Sequence, residues 1–434
     1  MSEEEAPRVG DASGAVSDTV ADAAPGAPTT GAPTTGTPTT GAPTKRRADL
    51  PQLVLAGLIA AIVGFFTAFA IVLSGLHAVG ASSDQAASGL FVLCLGMGIL
   101  GVCFSLRYRM PIGITLSTPG AALLVGSGLP SGGYRAAVGA FLLAGALITI
   151  TGLSRRLTGL INRVPRQLAA GMLAGILLPL CTVPVKALAH IPDEAVPVVL
   201  VWAAASRLCT RWAVPLATAT AAIVIALHPP AGGLHLVGLA PHLSLTGPRF
   251  TLGAAVGIGI PLYLVTMASQ NIPGIAVLTS NGYEPPVRPV LIGTGAFSML
   301  GAPASGLPLN LAAITAAMIA GPAAHRDPAR RWIAAVANGV GYLVLGFAAA
   351  FVTALSAAAS PMLIETVAGL ALLGALGSSL ATALSGERHR EAAVVAFLVS
   401  ASGQSVAGIG SPFWGLLAGL GFLALRWKPR VVDH

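Results

Sequence analysis

Between Gln85 and Pro192 this chain has no Asp or Glu, and the same holds for 195–283, 285–326, 328–364 and 366–386. A soluble domain carries roughly 25% charged residues. This chain has 9%, against 54% hydrophobic, and a mean hydropathy of +0.80. So little charge cannot cover a surface facing water. The chain therefore has to fold in lipid, where a spanning segment must satisfy its own backbone hydrogen bonds. The apolar runs have helical length, which predicts an all-α polytopic membrane protein. Fifty-three glycines and 32 prolines fit, since membrane helices tolerate both.

The +8 net charge would suggest nucleic acid in a soluble protein. Here its distribution argues for topology instead. With the N-terminus inside, all but four of the 24 Lys and Arg residues fall at inward-facing ends. Arg135, Lys186 and Arg249 fall outside and Arg8 lies in the tail. Such asymmetry sets orientation, and it places both termini in the cytoplasm of a bacterial-type cell, across the inner membrane. No nucleic-acid partner is expected.

Residues 1–49 are read as a disordered cytoplasmic tail. Gly26-Ala27-Pro28-Thr29-Thr30 recurs almost unchanged to Thr44, a Pro/Thr/Gly array with nothing to bury, closed by Lys45-Arg46-Arg47. Apolar segments follow near 52–76, 87–105, 112–128, 134–153, 166–182, 195–207 and 213–228, making a first seven-span repeat over 50–228. After an outer loop at 229–250, a second seven-span repeat covers 251–428, with spans near 251–274, 287–302, 305–321, 332–355, 361–384, 391–403 and 408–425. Residues 429–434 form a cytoplasmic C-terminus. Seven is odd, so two equal halves run in opposite directions through the bilayer, and the 14 spans form 7+7 inverted repeats.

The third span of each half is broken. Ile114-Thr115-Leu116-Ser117-Thr118-Pro119-Gly120-Ala121-Ala122 is a short β-prone run that feeds into a helix start. Leu307-Pro308-Leu309-Asn310-Leu311-Ala312-Ala313-Ile314-Thr315 repeats the design. Each reads as a short extended strand before a half-helix, and paired discontinuous spans point to a transporter's substrate site. Thr118 is expected to cap the first half-helix with Pro119 in its opening position, and Asn310 to cap the second. The bare turns after them, Gly120 and Ala121 in one copy and Leu311 in the other, would offer free N–H groups and positive dipole ends to an anion.

The span at 251–274 adds a polar face. Tyr263, Thr266 or Met267, Gln270 and Gly274 share one side of a helix, with Asn271 beside Gln270. Polar side chains at that depth face either a cavity or a partner helix. Among the carboxylates Glu365 falls within a span, one turn after Ser360-Pro361. It can carry a proton, and it can equally be an acid placed at a helix start for dipole reasons. The cysteines Cys94, Cys103, Cys181 and Cys209 have no metal-ligand or paired spacing and read as buried thiols, and no cofactor or metal is expected.

These residues resemble the benzoate/proton symporter (BenE-like) family. The similarity rests on Arg107-Tyr108-Arg109-Met110-Pro111 with Ser117–Leu124, and on Pro261-Leu262 with Val265–Leu278. Asn310–Ala317 with His325, Asp327, Pro328 and Arg331 completes it. It covers about residues 50 to 428 and is related in fold to uracil/proton symporters and sulfate transporters. The resemblance implies core and gate domains and proton-coupled uptake of benzoate or a similar aromatic carboxylate. It places substrate near Ser117, Thr118, Gln270, Asn271 and Asn310. Where uracil-type relatives have glutamates, this chain has Gln270 and Leu307, and a neutral site suits a carboxylate. Tyr263, Met267 and Phe66 are candidates to touch the ring.

The implied partners are a benzoate-like anion, protons and the bilayer, with a homo-oligomer left open. Symport of another small carboxylate or nucleobase is the nearest alternative, and an anion channel of the same fold the next. No nucleophile–base pair or ligand set lies within the spans, so the chain does not read as an enzyme.

Overall fold

The computed structural model describes residues 49–154, 165–227, 242–357, 359–404, 406 and 410–425. The tail before Asp49, residues 229–241 of the outer loop and the C-terminal 429–434 lie outside these. So do the basic residues Lys45, Arg46, Arg47, Arg155, Arg156, Arg163, Arg426, Lys428 and Arg430.

The described chain is mostly helix. The first half holds α1 (Leu50–Ala78), α2 (Ser83–Tyr108), β1 (Ile114–Leu116), α3 (Thr118–Ser127), α4 (Tyr134–Leu153), α5 (Arg166–His190), α6 (Pro192–Leu208) and α7 (Ala213–Leu227). The second holds α8 (Leu252–Ser280), α9 (Val287–Gly301), β2 (Leu309–Leu311), α10 (Ile314–Ala320), α11 (Trp332–Phe347) and α12 (Ala349–Ala357). It ends with α13 (Pro361–Leu384), α14 (Glu387–Ala401) and α15 (Ser411–Leu425). Among the described residues seven helices are long and apolar enough to cross a bilayer, and an eighth crossing results if α11 and α12, bent by 54°, count as one.

Local chemistry sets several of these boundaries. Ser82 and Gln85 cap α2 reciprocally: Gln85 N–H donates to Ser82 Oγ at 3.3 Å and Ser82 N–H to Gln85 Oε1 at 2.8 Å. Arg109 ends the same helix in the left-handed region at φ 52°, and its guanidinium lies 4.3 Å from the Trp332 ring centre at the start of α11. Helix α8 is continuous but widens into π turns at Ala255–Gly259 and Met267–Asn271. Such turns are often found at functional sites because they re-aim side chains.

Packing follows small residues. Helix α2 crosses α11 where Gly98 and Gly339 face each other: a Cβ on either would meet the other's carbonyl oxygen at 2.8 to 2.9 Å. Helix α4 crosses α9 in the same way at Gly145 and Gly295. In lipid there is no hydrophobic drive between helices, so close backbone approach through glycine is what gains contact. Helix α5 packs mainly on α13 and α14, α14 on α15, and α6 on α7, while α1 lies against α11 and α3. The expectation of buried thiols holds for Cys94 and Cys181; Cys103 on α2 and Cys209 just after α6 are exposed instead.

The two strands pair with each other. They run antiparallel with Ile114 opposite Leu311, Thr115 opposite Asn310 and Leu116 opposite Leu309, and Ala312 N–H donates to Gly113 O at 2.9 Å. Extended backbone inside lipid needs such a partner and a protein cover. Ile114, Leu116, Leu309 and Leu311 are all at most 2% exposed.

Beyond α10 a polar knot fixes the chain. Arg331, 4% exposed, donates to the carbonyls of His325 at 2.7 Å and Ala320 at 2.8 Å. Asp49 takes Arg330 at 3.0 Å and lies 3.5 Å from His325 Nε2, which ties the start of α1 to this loop. Burial raises the Tyr283 hydroxyl above its usual range, opposed by the nearby Arg331 charge.

Candidate functional site

A cavity of about 560 Å³ opens beside the crossing strands. Its walls are the start of α3 (Thr118, Pro119), the first turns of α5 (Arg166 to Leu173), the bulged part of α8 (Val265 to Ala276), Ala313 and Ile314 at the start of α10, and α13 from Gly374 to Thr382. The volume is in the range of small-molecule sites, and the lining is mostly apolar with a few polar groups, as such sites are built.

The polar groups divide by where their protons go. Ser269 donates to Val265 O at 2.6 Å, Ser378 to Ala375 O at 3.0 Å and Thr382 to Ser378 O at 2.8 Å, so these hydroxyls turn back onto their own helices. Among the described residues the side chains of Thr118, Gln270, Ser379 and Arg166 have no hydrogen-bond partner. Those four bring free donors to one cavity, and among the described residues no carboxylate lines it. An anion is the ligand such a set suits.

The first half-helix is capped one residue earlier than its sequence suggests. Ser117, not Thr118, is the cap, and its Oγ accepts Gly120 N–H at 3.0 Å. The Ala121 N–H that Thr118 would have bound is held by Ser117 O at 2.9 Å, which leaves the Thr118 hydroxyl free. The expected cradle of open amides at Gly120 and Ala121 is therefore closed from within. Both residues are buried, and a Cβ at Gly120 would meet Leu262 Cδ1 at 2.6 Å, so this glycine serves the packing of α3 on α8.

Asn310 is not a cap either. Pairing with Thr115 keeps its backbone extended, and the helix begins only at Ile314 behind Ala313, which has no capping side chain. The Asn310 amide instead reaches across to the other half. Oriented by its neighbours' donors and acceptors, its oxygen accepts Ser117 N–H at 2.9 Å and its nitrogen donates to Leu311 O at 2.9 Å. Asn271, fully buried, accepts Leu311 N–H at 3.0 Å and donates to Met267 Sδ at 3.2 Å. Tyr263 shares a 2.6 Å hydrogen bond with Thr151 of α4.

Of the sequence-derived candidates, then, Thr118 and Gln270 come together on the cavity. Ser117, Asn271, Asn310 and Leu311 form the polar pins of the strand crossing behind it, with Met267 beside them. Gly120, Ala121 and Tyr263 are packed among helices. The cavity's apolar lining includes aliphatic residues such as Leu173, Val265 and Ile272, and none of the aromatic candidates is among its lining residues. Phe66 lies against Phe65 and Phe69.

Glu365 stands apart. It is the fifth residue of α13, nine positions before the first cavity-lining residue of that helix, Gly374, or about 13 Å along the axis. Arg166, which sequence reading treats only as a marker of sidedness, lines the cavity. Its position as the first residue of a span after a basic loop was the available signal.

The family described as benzoate membrane transport protein (BenE) matches residues 48–425. The chain is 38% identical over 372 residues to the inner membrane protein YdcO of Escherichia coli K12, covering 85% of this chain and 94% of that one. It is 28% identical over 380 residues to the benzoate membrane transport protein of Acinetobacter baylyi, covering 87% and 95%. In fold it is similar to the transmembrane domain of the cyanobacterial bicarbonate transporter BicA, with TM-score 0.56 and 14% identity over 86% of this chain and 98% of that one. It is likewise similar to SLC26A9, with TM-score 0.56 and 13% identity over 86% and 65%.

Proposed function

The chain belongs to the BenE family of benzoate membrane transport proteins, and from that premise we propose that it is a secondary active transporter that couples uptake of benzoate or a similar aromatic carboxylate to protons across a bacterial inner membrane. The observation that carries the reading is the cavity into which Thr118 and Gln270 turn free donors and which no carboxylate lines. The apolar walls suit an aromatic ring, and the uncapped start of α10 at Ala313 adds a positive dipole end.

The packing supports 7+7 inverted repeats. Exchanging the halves turns the α2–α11 crossing into α9–α4, the α6–α7 pair into α14–α15, and the α1–α11 contact into α8–α4. The strand pair and the α5–α13 pair map onto themselves. Counted this way α11 and α12 are one span, and there are 14. The same packing supports a reading of α1–α4 and α8–α12 as a core and of α5–α7 and α13–α15 as a gate, with the cavity lined from both. Rocking of the gate on the core would alternate the cavity's access.

With both termini cytoplasmic, Arg166 and Thr382 stand on the cytoplasmic side and the cavity faces inward. The proton is assigned to Glu365, a carboxylate within a span and on the same helix that forms one cavity wall.

Uptake of radiolabelled benzoate into proteoliposomes, against protein-free vesicles because benzoic acid crosses lipid unaided, tests this reading. Accumulation driven by an inward proton gradient and abolished by a protonophore is the expected result. Ohmic benzoate current without accumulation would replace it with a channel.

A further inference from the structure

Arg166 opens α5, and its side chain lines the same cavity as Thr118 and Gln270. Among the described residues it is the one charged residue in that lining, and no ion pair involves it. Helix stability does not explain its place. A cation in the first turn opposes the helix dipole, and Arg155, Arg156 and Arg163 earlier in the sequence already serve sidedness. What the position does provide is a guanidinium at the helix-end mouth of a cavity with no carboxylate, across from Thr382 near the end of α13. Low-dielectric walls focus such a charge onto entering anions. The planar fork matches a carboxylate through two parallel hydrogen bonds, which a threonine hydroxyl or a glutamine amide cannot do.

We infer that Arg166 is the specificity-determining residue of the cavity, binding the substrate's carboxylate and so favouring the anion over its neutral amide. The inference rests on the reading of the cavity as the site of an aromatic carboxylate. Thr118 and Gln270 then add neutral donors to the same carboxylate, and the apolar wall holds the ring without regard to charge.

Binding to the purified full chain in nanodiscs tests this, with radiolabelled benzoate as probe and unlabelled benzoate and benzamide as competitors. For Arg166→Gln the expected result is a loss of benzoate affinity of about tenfold or more, the size of one charge-assisted bond, with benzamide competition unchanged. Arg166→Lys keeps the charge and should lie between the two. Added salt should weaken benzoate binding to the native chain more than to Arg166→Gln. An Arg166→Gln variant that still prefers benzoate over benzamide as the native chain does would overturn the inference, while leaving the transport reading intact. If the native chain binds no benzoate, the transport reading fails on its substrate, and nicotinate with nicotinamide and acetate with acetamide replace the pair. A carboxylate preference there that vanishes in Arg166→Gln supports the inference, and no carboxylate preference in any pair overturns it. Arg166 is exposed, so the variant should melt as the native chain does; should it not, Arg166→Lys and the salt dependence of the native chain decide.

Discussion

The side-chain oxygen of Asn310 accepts the backbone N–H of Ser117 at 2.9 Å. Through that bond the strand of one half secures the residue that caps the half-helix of the other, since Ser117 Oγ in turn holds Gly120 N–H. Both partners are fully buried, so neither has water to fall back on.

Asn310→Ala should therefore destabilise the fold by about 1–3 kcal/mol, the cost of stranding a buried donor. Ser117→Ala should cost about 1 kcal/mol, as lost caps do. Thermal unfolding in detergent measures both, and an Asn310→Ala variant melting with the native chain would remove the pin from the account.

Neighbouring amides should separate binding from stability. Gln270→Ala should weaken benzoate binding about tenfold or more, the worth of a hydrogen bond to a charged group, at unchanged melting temperature. Asn271→Ala should lower the melting temperature, because it strands Leu311 N–H. Paired binding and melting curves of the two variants decide this, and the same loss in both readouts for both variants would contradict it.

The glycine crossings should resist enlargement. Gly98→Val and Gly295→Val each push a side chain against the carbonyl oxygen of the facing helix, and each should cost about 1–3 kcal/mol or block folding. Gly374→Val, where a Cβ meets nothing within 4 Å, should be tolerated. Expression and size-exclusion profiles of the three read the difference.

Glu365→Gln should abolish gradient-driven accumulation while benzoate counterflow continues, since the side chain lies about 13 Å along α13 from the cavity. Accumulation at the native level would remove the proton from this residue.

Much of this fold was legible because lipid leaves few choices. Absent charge required helices, and the two Pro- and Gly-marked runs announced where spans break. The caps were misjudged by one and three residues for a reason no single segment contains. Strand pairing between the halves keeps Asn310 extended and moves the start of α10 to Ile314. The polar face of α8 misled in the same way. Helical spacing grouped Tyr263, Met267 and Gln270, but the π turn at Met267–Asn271 rotates Gln270 away from the face that carries Tyr263. Gln270 meets the cavity while Tyr263 turns to Thr151. Arg166 carried two signals in one residue, and charge counting read only the sidedness.

The most direct measurement is a structure of the chain with para-iodobenzoate, located by the anomalous scattering of iodine. The account predicts iodine between the apolar walls at Leu173, Val265 and Ile272, with the carboxylate toward Thr118, Gln270 and Arg166. Iodine outside that cavity, with the cavity empty, would contradict it.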